Sequence, residues 1–399
     1  MKKINCDILI VGAGLTGLIS AYSLSDLELN IILIDKFDFL SKKNNYQDLR
    51  TTAISEGSKN FLNKIKIWQQ ISKFAEPIKQ IKVIDRSPNR LIDFYNKHEN
   101  QNLGYIIRNT DIKKKVLGLI SRKKNIRLIS NQSLQTISYN NNLINCDFKN
   151  IKTGITIEAK LLIAADGKNS KIRNLLKTPV YTKKYNQKAL VVNFHHNLNH
   201  YSTAYELFYN SGPFAILPMK KIKKNEFTSS LIWTHNSQYI DSLFKVDRQF
   251  LKSILEEKIK KYVGSVKEII DVQKFDLSAH INSNFYEKNT LYLGDAAHSI
   301  HPIAGQGWNI GVRDIQKCLD ILKKNIHLGL DFSSPHLFKE YNNKTYNDSY
   351  ILFQITDKLN KIFLNDSYAI NYLRKKGFDI IHKEKAIKNY ITNFAMGLN

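Results

Sequence analysis

Residues 4–35 read INCDILIVGAGLTGLISAYSLSDLELNIILID. An apolar run typical of a buried strand is followed at once by GAGLTG at residues 12–17, and then by a helical segment. A second apolar strand, residues 31–34, ends at Asp35, which stands 18 positions after the third glycine. The order of strand, glycine turn, helix, strand and acid is that of a dinucleotide-binding βαβ unit. This stretch therefore predicts an α/β fold built around a parallel sheet.

The three glycines of the turn have separate physical roles in such a unit. Gly12 and Gly14 allow a tight turn and let a pyrophosphate approach the backbone, whereas Gly17 lets the helix pack on the strand. Free amides at the helix start favour the negative charge of the pyrophosphate, and Asp35 can hold ribose hydroxyls. A glycine turn without a ligand is the alternative, and the glycine spacing alone does not exclude it.

A second candidate site lies at Leu291–Asp314, LYLGDAAHSIHPIAGQGWNIGVRD. A short apolar strand ends at Gly294, so that Asp295 stands at its exit, where a carboxylate can accept hydrogen bonds from hydroxyl groups. A loop with Pro302 then leads to Gly305-Gln306-Gly307, where we expect a helix to begin. Two glycines at a helix start let a flat ligand touch the main chain.

A third candidate is LLIAADG at residues 161–167, a buried strand that ends in Asp166-Gly167. Ligands of doubly wound sheets bind beyond the carboxyl ends of the strands, so this acid and this glycine could belong to the same site. A simple surface turn explains the dipeptide equally well.

The rest of the chain divides into strand-rich and helical parts. Residues 78–95 alternate as a strand pair around Ser87-Pro88-Asn89, and residues 104–120 read as a strand leading into a helix capped by Asn109 or Thr110. The later expectations are an all-β region at 189–234 with a hairpin tip at Lys220–Lys224, a helix at 247–263, a strand at 274–277, and helices at 312–327, 334–365 and 384–395.

Composition and charge exclude several classes of protein. A chain of 399 residues with 43% hydrophobic residues can bury a sizeable core, but its apolar runs are shorter than the roughly 18 residues of a membrane span. Three widely spaced cysteines, Cys6, Cys146 and Cys318, form no disulfide or metal pattern, which favours a reducing compartment. The net charge of +25 suits an anionic surface. Because the lysines are dispersed and no nucleic-acid motif accompanies them, we expect no nucleic-acid partner.

We also expect no metal site. The histidines that invite one fall on dissimilar predicted elements and are expected to have no carboxylate partners. They are His195, His196, His200, His298 and His301.

Taken together, the motifs resemble a known family. GAGLTG with Asp35, IAADGKNSKIR at 163–173 and GDAAHSIHPIAGQGWNIGVRD at 294–314 are similar in kind and order to those of the class A flavoprotein aromatic hydroxylases, which have the para-hydroxybenzoate hydroxylase fold. Further stretches narrow the resemblance to the ubiquinone-biosynthesis hydroxylases, the 2-polyprenyl-6-methoxyphenol hydroxylase family. These are LRTTAIS at 49–55, AYELFYNSGPFAILPM at 204–219, SSLIWT at 229–234 and AMG at 395–397.

The resemblance covers essentially the whole chain and implies a discontinuous, Rossmann-like FAD-binding domain with an inserted β-sheet substrate domain and C-terminal helices. The expected FAD-binding domain comprises 1–75, 100–178 and 271–345, the substrate domain 76–99 and 179–270, and the helical segment 346–399. The residues implied to bind FAD are Gly12, Gly14, Gly17, Asp35, Arg50, Asp166, Gly167, Asp295, Gly305, Gly307, Trp308 and Asn309, with Pro302, Gly305, Gln306 and Gly307 facing the flavin.

The implied reaction is the hydroxylation of the aromatic ring of a polyprenylated phenol in ubiquinone biosynthesis. FAD is the bound cofactor, NAD(P)H is a transient co-substrate, and O2 reacts through a C4a-hydroperoxyflavin. Since the cofactor supplies this chemistry, no side chain is assigned a catalytic role. We expect the substrate's apolar wall to consist of Phe208, Phe214, Ile216, Leu217 and Met219.

The resemblance further implies a cytoplasmic protein associated peripherally with the inner membrane, where it could meet other ubiquinone-biosynthesis proteins. Two residues depart from the family pattern: Arg108 stands where an acid is common, and Trp308 stands where a smaller apolar residue is common. Two alternatives remain at this stage. One is a flavin-dependent reductase or dehydrogenase of the same fold, and the other is a non-catalytic basic scaffold in a biosynthetic complex.

Overall fold

The computed structural model describes residues 2–40, 48–86, 90–95, 101–151, 153–222 and 226–398. The strands are β1 (Lys2–Val11), β2 (Ile31–Ile34), β3 (Thr51–Ser55), β4 (Glu76–Ile78), β5 (Gln80–Asp85), β6 (Leu91–Tyr95), β7 (Gly104–Arg108), β8 (Ile126–Ile129), β9 (Ser133–Asn140), β10 (Leu143–Lys149), β11 (Gly154–Ala164), β12 (Val180–His196), β13 (Thr203–Tyr209), β14 (Gly212–Met219), β15 (Phe227–Asn236), β16 (Val266–Asn282), β17 (Tyr286–Glu287), β18 (Thr290–Tyr292) and β19 (His298–Ser299). The helices are α1 (Leu15–Leu24), α2 (Glu56–Lys64), α3 (Trp68–Ile71), α4 (Asn109–Ile120), α5 (Lys171–Leu175), α6 (Ser237–Lys245), α7 (Arg248–Val263), α8 (Gly307–His327), α9 (Pro335–Leu364), α10 (Tyr368–Lys383) and α11 (Lys385–Met396). Short 3-10 turns lie at Ser25–Leu27, Ser72–Phe74, Gly294–Ala296 and Ile303–Gly305.

The first sheet is a doubly wound sheet with a parallel core in the order β18-β11-β1-β2-β8. The apolar runs of β1, β2 and β11 are buried along their carboxyl halves, as expected for strands covered on both faces. The chain proceeds to β2 on one side of β1 and to β11 on the other, so the strand order reverses between β1 and β11. Such a switch point is where ligands of doubly wound sheets bind. The α/β fold predicted from residues 4–35 is confirmed.

The second sheet has the order β19-β16-β12-β15-β14-β13-β5-β6. Helices α6 and α7 cover one face, where Ile240, Leu251 and Leu255 pack on the sheet in a core of their own. Because side chains alternate along each strand, the other face carries a separate set of residues. The expected boundary at 270 falls inside β16, which runs unbroken from Val266 to Asn282 and pairs with β12 over most of its length.

A small third sheet, β4-β7-β3, lies beside the start of α4. The expected cap of this helix is not formed by a side chain, because the N-cap position falls on Arg108. The Asn109 side chain instead accepts a hydrogen bond from the Thr52 hydroxyl and donates one to Asp48 Oδ2 at 2.9 Å. Asn109 therefore links β3 to the segment before it rather than capping its own helix.

The C-terminal segment contains one helix that the sequence pattern did not predict. Helix α10 follows α9 after a break of three residues, whereas a single helix to about residue 365 was expected before the last one. A buried ion pair holds α10 against the second sheet, since Arg374 Nε lies 3.3 Å from Asp85 Oδ2 on β5. The guanidinium also donates to the carbonyl groups of Ile362 and Asn365 at the end of α9.

Two expected turns fall partly or wholly outside the described residues. These are Ser87–Asn89 between β5 and β6, and residues 223 and 224 of the expected hairpin tip after β14.

Candidate cofactor and substrate site

The glycine turn after β1 forms the closest approach between the two strands at the switch point. Gly12 has a φ of +108°, and a Cβ there would lie 2.2 Å from the carbonyl oxygen of Ala165. A Cβ on Gly17 would lie 1.8 Å from the carbonyl oxygen of Gly12. A Cβ on Gly14 would meet nothing within 4 Å. Gly12 and Gly17 are thus required for packing, whereas Gly14 borders open space at the start of α1.

The start of α1 offers main-chain donors to that open space. Gly14 is the N-cap residue and, having no side chain, makes no capping hydrogen bond to the first turn. Asp35, at the end of β2, accepts a hydrogen bond from Ala13 N at 2.6 Å and one from Phe37 N at 2.8 Å. The acid of the fingerprint therefore touches the glycine turn directly, and uncapped helix amides beside it form an anion site.

Asp166 and Gly167 leave β11 immediately beside the glycine turn. One Asp166 oxygen accepts hydrogen bonds from Lys171 N at 2.8 Å and Ile172 N at 3.2 Å, while the other oxygen is buried without a partner among the described residues. Burial raises the pKa of this carboxyl group. Gly167 has a φ of +83° and faces open space. The unpaired oxygen and the open glycine are features that a bound ligand would satisfy.

Asp295 stands at the carboxyl end of β18, in the 3-10 turn Gly294–Ala296, with its side chain exposed to the cleft. The surrounding protein desolvates the carboxyl group and raises its pKa, while the charges of Arg50 and Lys168 oppose the increase. Arg50 itself pairs with Asp48 at 2.7 Å and lies over the ring of Phe275. Arg50 thus borders the cleft near Asp295, as expected of a residue beside a diphosphate or flavin.

Two connections that no sequence pattern predicted hold these loops in place. The buried guanidinium of Arg173 donates to the carbonyl of Lys168 at 2.8 Å and to that of Ala296 at 3.3 Å. It therefore bridges the loops after β11 and β18. Buried Asp314 on α8 contacts His298 Nε2 at 2.7 Å and accepts from Gly294 N at 3.0 Å. Asp314 is the last residue of the stretch Leu291–Asp314. Its presence there was the sequence signal for the pairing with His298.

The segment from Pro302 to Gly307 forms a turn and then the start of α8. Gly305 has a φ of +61°, and a Cβ there would lie 3.1 Å from Ala53 Cβ. The Asn309 side chain is fully engaged with β3, because it accepts from Ser55 N at 2.9 Å and donates to Ala53 O at 3.0 Å. Gln306 donates to Ala395 O on α11 at 3.0 Å. These contacts fix the position of the turn.

The two residues that depart from the family pattern, Trp308 and Arg108, occupy partly buried positions. Trp308 is half-buried and packs on the core of the first sheet. Arg108 has a buried guanidinium nitrogen without a hydrogen-bond partner among the described residues, and its charge acts on Asp111 and Asp271. Neither side chain lines the large apolar cavity of the protein.

An apolar cavity of about 590 Å³ lies between the second sheet, the turn at 302–307 and the C-terminal helices. Phe208 and Leu217 line it, as expected. Phe214 and Ile216 do not, because they alternate with the lining residues of β14 and pack against α6 and α7 on the opposite face. Met219 is buried in a neighbouring cluster with Leu103 and does not line the cavity.

Much of the lining comes from C-terminal helices whose sequence pattern does not predict a pocket. Phe363 of α9 stacks on Phe208 with ring centroids 3.6 Å apart. The other lining residues of these helices are Ile351, Ile355, Leu359, Phe378, Ile381, Tyr390, Ile391, Thr392, Phe394, Ala395 and Met396. No periodicity marks such residues as pocket residues rather than core residues.

The expectation that these histidines have no carboxylate partners is wrong for two of them. His298 contacts Asp314, and His195 lies in a group with Glu226 and Glu268 whose possible ligand atoms are within 4.8 Å of one another. The imidazole of His195 also contacts the Thr228 hydroxyl at 3.2 Å. In both cases the partners are separated along the chain, so the sequence alone did not predict that they meet.

Comparisons with known proteins agree with this geometry. Residues 5–329 match the family model described as FAD binding domain. The chain is 28% identical to ubiquinone hydroxylase UbiL of Rhodospirillum rubrum over 98% of this chain and 89% of that protein, and 24% identical to 3-demethoxyubiquinol 3-hydroxylase of Escherichia coli over 98% of both. The solved structure of p-nitrophenol 4-monooxygenase PnpA from Pseudomonas putida superposes with a TM-score of 0.81 at 14% identity, covering 99% of this chain and 98% of that one. The expected para-hydroxybenzoate hydroxylase fold is thus confirmed. Because the family match spans most of the chain, the protein belongs to the FAD binding domain family.

Proposed function

We propose that this protein is an FAD-dependent monooxygenase that hydroxylates the aromatic ring of a polyprenylated phenol in ubiquinone biosynthesis, using NAD(P)H and O2. The observation that carries the proposal is the position of the apolar cavity, which is bordered on one side by the turn at 302–307. An apolar ring and its tail fit such a cavity. The related proteins named above act in the same pathway by their names.

The residues present fit FAD. Gly14 and the start of α1 would receive the pyrophosphate, Asp35 the adenosine ribose, and Asp295 hydroxyl groups of the ribityl chain. FAD, once bound and reduced by NAD(P)H, supplies the activation of O2. The sequence contains a single GxGxxG fingerprint, which fits a nicotinamide that binds transiently without a second βαβ unit.

The protein's own contribution is to orient the phenol and to exclude water. The turn from Pro302 to Gly307 would present main chain to the flavin, and the uncapped start of α8 at Gly307 would favour negative charge there, an interaction of roughly 0.3–2 kcal/mol. Helices α9 to α11 close the opposite side of the cavity. The Arg374–Asp85 pair holds α10 and the end of α9 against the second sheet.

We also propose that the C-terminal helices contact the inner membrane. Among the described residues, none of the helices combines the length and the hydropathy needed to cross a bilayer. Yet three residues of these helices that line the cavity are 38–66% exposed, namely Ile351, Ile355 and Tyr390. The cavity therefore opens where these helices meet solvent. Tyr368 and Leu373 on α10 are exposed, as are Lys375, Lys376 and Lys383 of the same helix. An apolar surface edged by lysines is suited to an anionic bilayer that holds the substrate's tail.

The hydroxylase proposal is tested with purified protein, FAD, NAD(P)H and a short-chain polyprenyl phenol. We expect NAD(P)H oxidation that depends on the phenol, and a product that gains one oxygen atom from isotope-labelled O2, measured by mass spectrometry. NAD(P)H oxidation without oxygen consumption would favour a reductase of the same fold. A protein that takes up no FAD would refute the assignment.

The membrane proposal is tested by sedimentation with anionic vesicles at low salt. The variant Tyr368→Ser/Leu373→Ser should lose vesicle binding, whereas Phe250→Ser, which removes an exposed apolar side chain from α7, should not. Equal sedimentation of both variants would contradict a docking surface on α10.

A further inference from the structure

One acidic side chain, Glu206, lines the apolar cavity among the described residues. It lies on β13 between Ala204 and Phe208, which line the cavity too, as the alternation of a strand requires. Its cross-strand partners, Val83 on β5 and Ala215 on β14, also line the cavity. The carboxyl group therefore projects from the centre of an apolar sheet face.

The Glu206 carboxyl group has no hydrogen bond or ion pair with any described residue. The apolar surroundings leave a charged carboxylate poorly solvated. This desolvation raises the pKa of Glu206 to about 8. An unpaired carboxyl group in an apolar site is costly to the folded protein unless a ligand supplies the missing partner. The partner must carry a hydrogen-bonding group into a cavity that otherwise suits an apolar molecule.

The neighbours of Glu206 connect it to the expected flavin side of the cavity. Ala204 packs in a cluster that includes Ala53, the residue closest to a Cβ on Gly305. Phe208 packs in a cluster with Ile303 of the same turn. Glu206 thus stands between two side chains of β13 whose apolar clusters border the turn at 302–307.

We propose that Glu206 is the general base that removes the phenolic proton of the substrate bound in this cavity, a role that rests on the hydroxylase function proposed above. The phenol O–H bond breaks, an O–H bond forms on the carboxylate, and the electron pair stays on the phenolate oxygen. The phenolate enriches the ring carbons that receive oxygen. After the ring regains aromaticity, the proton returns to the product oxygen, so the carboxylate is regenerated and no further reactant is needed.

The position of Glu206 also makes it a competent base. A phenol with a pKa of about 10 and a carboxyl group with an ordinary pKa of about 4 differ by about 6 units, which opposes the transfer. The apolar surroundings raise the pKa of Glu206 to about 8, so its carboxylate is a stronger base than an ordinary carboxylate. The other polar lining residues, such as Thr234 and Tyr390, are neutral hydroxyl or amide groups that cannot take the proton in this way.

The test compares wild type with Glu206→Gln, which keeps the shape, and Glu206→Asp, which keeps the acid. The control is Glu76→Gln, since Glu76 is another carboxyl group whose pKa is raised by burial, but it bonds Ser202 outside the cavity. FAD content, melting temperature, flavin reduction by NAD(P)H and hydroxylation are measured for each. We expect Glu206→Gln to keep the first three and to hydroxylate at least about 100-fold more slowly, with the reduced flavin releasing peroxide instead.

Two further readouts would not respond to a merely structural role. Wild-type hydroxylation should rise as pH passes through about 8, because the carboxylate is the active form, and Glu206→Gln should lose this rise. A 4-nitrophenol carrying a short alkyl chain should show its phenolate absorption band in the difference spectrum when bound to wild type, but not when bound to Glu206→Gln. Glu206→Asp should recover part of both signals.

The outcomes separate the two proposals. If wild type hydroxylates the phenol and Glu206→Gln does so equally well, Glu206 is not the base and the hydroxylase function stands. If FAD-loaded wild type hydroxylates no polyprenyl phenol, the proposed function is wrong and the base role falls with it. If Glu206→Gln unfolds or loses FAD, Glu206→Asp decides: recovered hydroxylation with the rise near pH 8 supports the base, and its absence overturns it.

Discussion

The glycine turn allows cofactor binding to be separated from folding by single substitutions. Gly14 has a φ of −70° and a ψ of −177°, an extended conformation open to any residue, and a Cβ there would meet no protein atom within 4 Å. Gly14→Glu should therefore fold normally. Its carboxylate would enter the space where the pyrophosphate must lie.

The size of the effect follows from electrostatics. One carboxylate about 4 Å from one phosphate charge, at an effective dielectric constant of about 20, costs roughly 4 kcal/mol. That is a loss of about 1,000-fold in FAD affinity. Wild type in FAD at about 100 times its Kd gains about 2.7 kcal/mol of stability, and the variant should show no corresponding rise in melting temperature.

The assay measures flavin absorbance of the purified protein, FAD affinity by titration of the apoprotein, and the melting temperature with and without FAD. Two glycine variants serve as controls. Gly17→Ala drives a Cβ to 1.8 Å from the Gly12 carbonyl, so it should lower the stability of the apoprotein itself. Gly118→Ala lies in α4 with free space around it and should leave FAD binding unchanged. Stoichiometric FAD in purified Gly14→Glu would refute the assignment of this turn.

Three further predictions concern packing and ionisation. Ile216 and Leu217 lie on opposite faces of β14. Ile216→Ala should therefore lower the free energy of unfolding by about 2–5 kcal/mol with little effect on substrate KM, whereas Leu217→Ala should change KM for the phenol. Equal effects of the two variants on KM would contradict this placement. Asp314→Ala leaves His298 and Gly294 N without their buried partner and should cost about 3 kcal/mol in denaturant unfolding, with half-exposed Asp320→Ala as the near-neutral control. Burial lowers the pKa of His196 and of His301 to about 4, from 6.5 in the unfolded chain. Between these two pH values the unfolded state binds more protons, so the melting temperature should fall as pH drops from about 6.5 to about 4. A melting temperature that stays constant over that range would be the contrary result.

The sequence pattern predicted the features that depend on a few contiguous residues. The turn at 12–17, the acid at 35 and the helix start near 307 could be predicted because strand length, helix start and glycine conformation are properties of a few neighbouring residues. Helix α10 was missed, although the end of α9 near residue 365 was expected, because α10 buries only Arg374 and Phe378 and so depends little on an apolar stripe. Two of the five residues expected to form the substrate wall, Phe208 and Leu217, line the cavity. Phe214 and Ile216 face the other way, and Met219 lies in a neighbouring cluster.

The sequence by itself determined the dinucleotide-binding unit, the α/β class and the family, because these follow from the order of short motifs along the chain. Only the tertiary structure decided how residues far apart in sequence meet. It brought Arg173 between the loops after β11 and β18, paired His298 with Asp314, and placed α9 to α11 over the open face of the second sheet. It also left Glu206 unpaired in that cavity. Which face of a strand is covered, and by what, depends on the packing of distant elements, and no local periodicity encodes it.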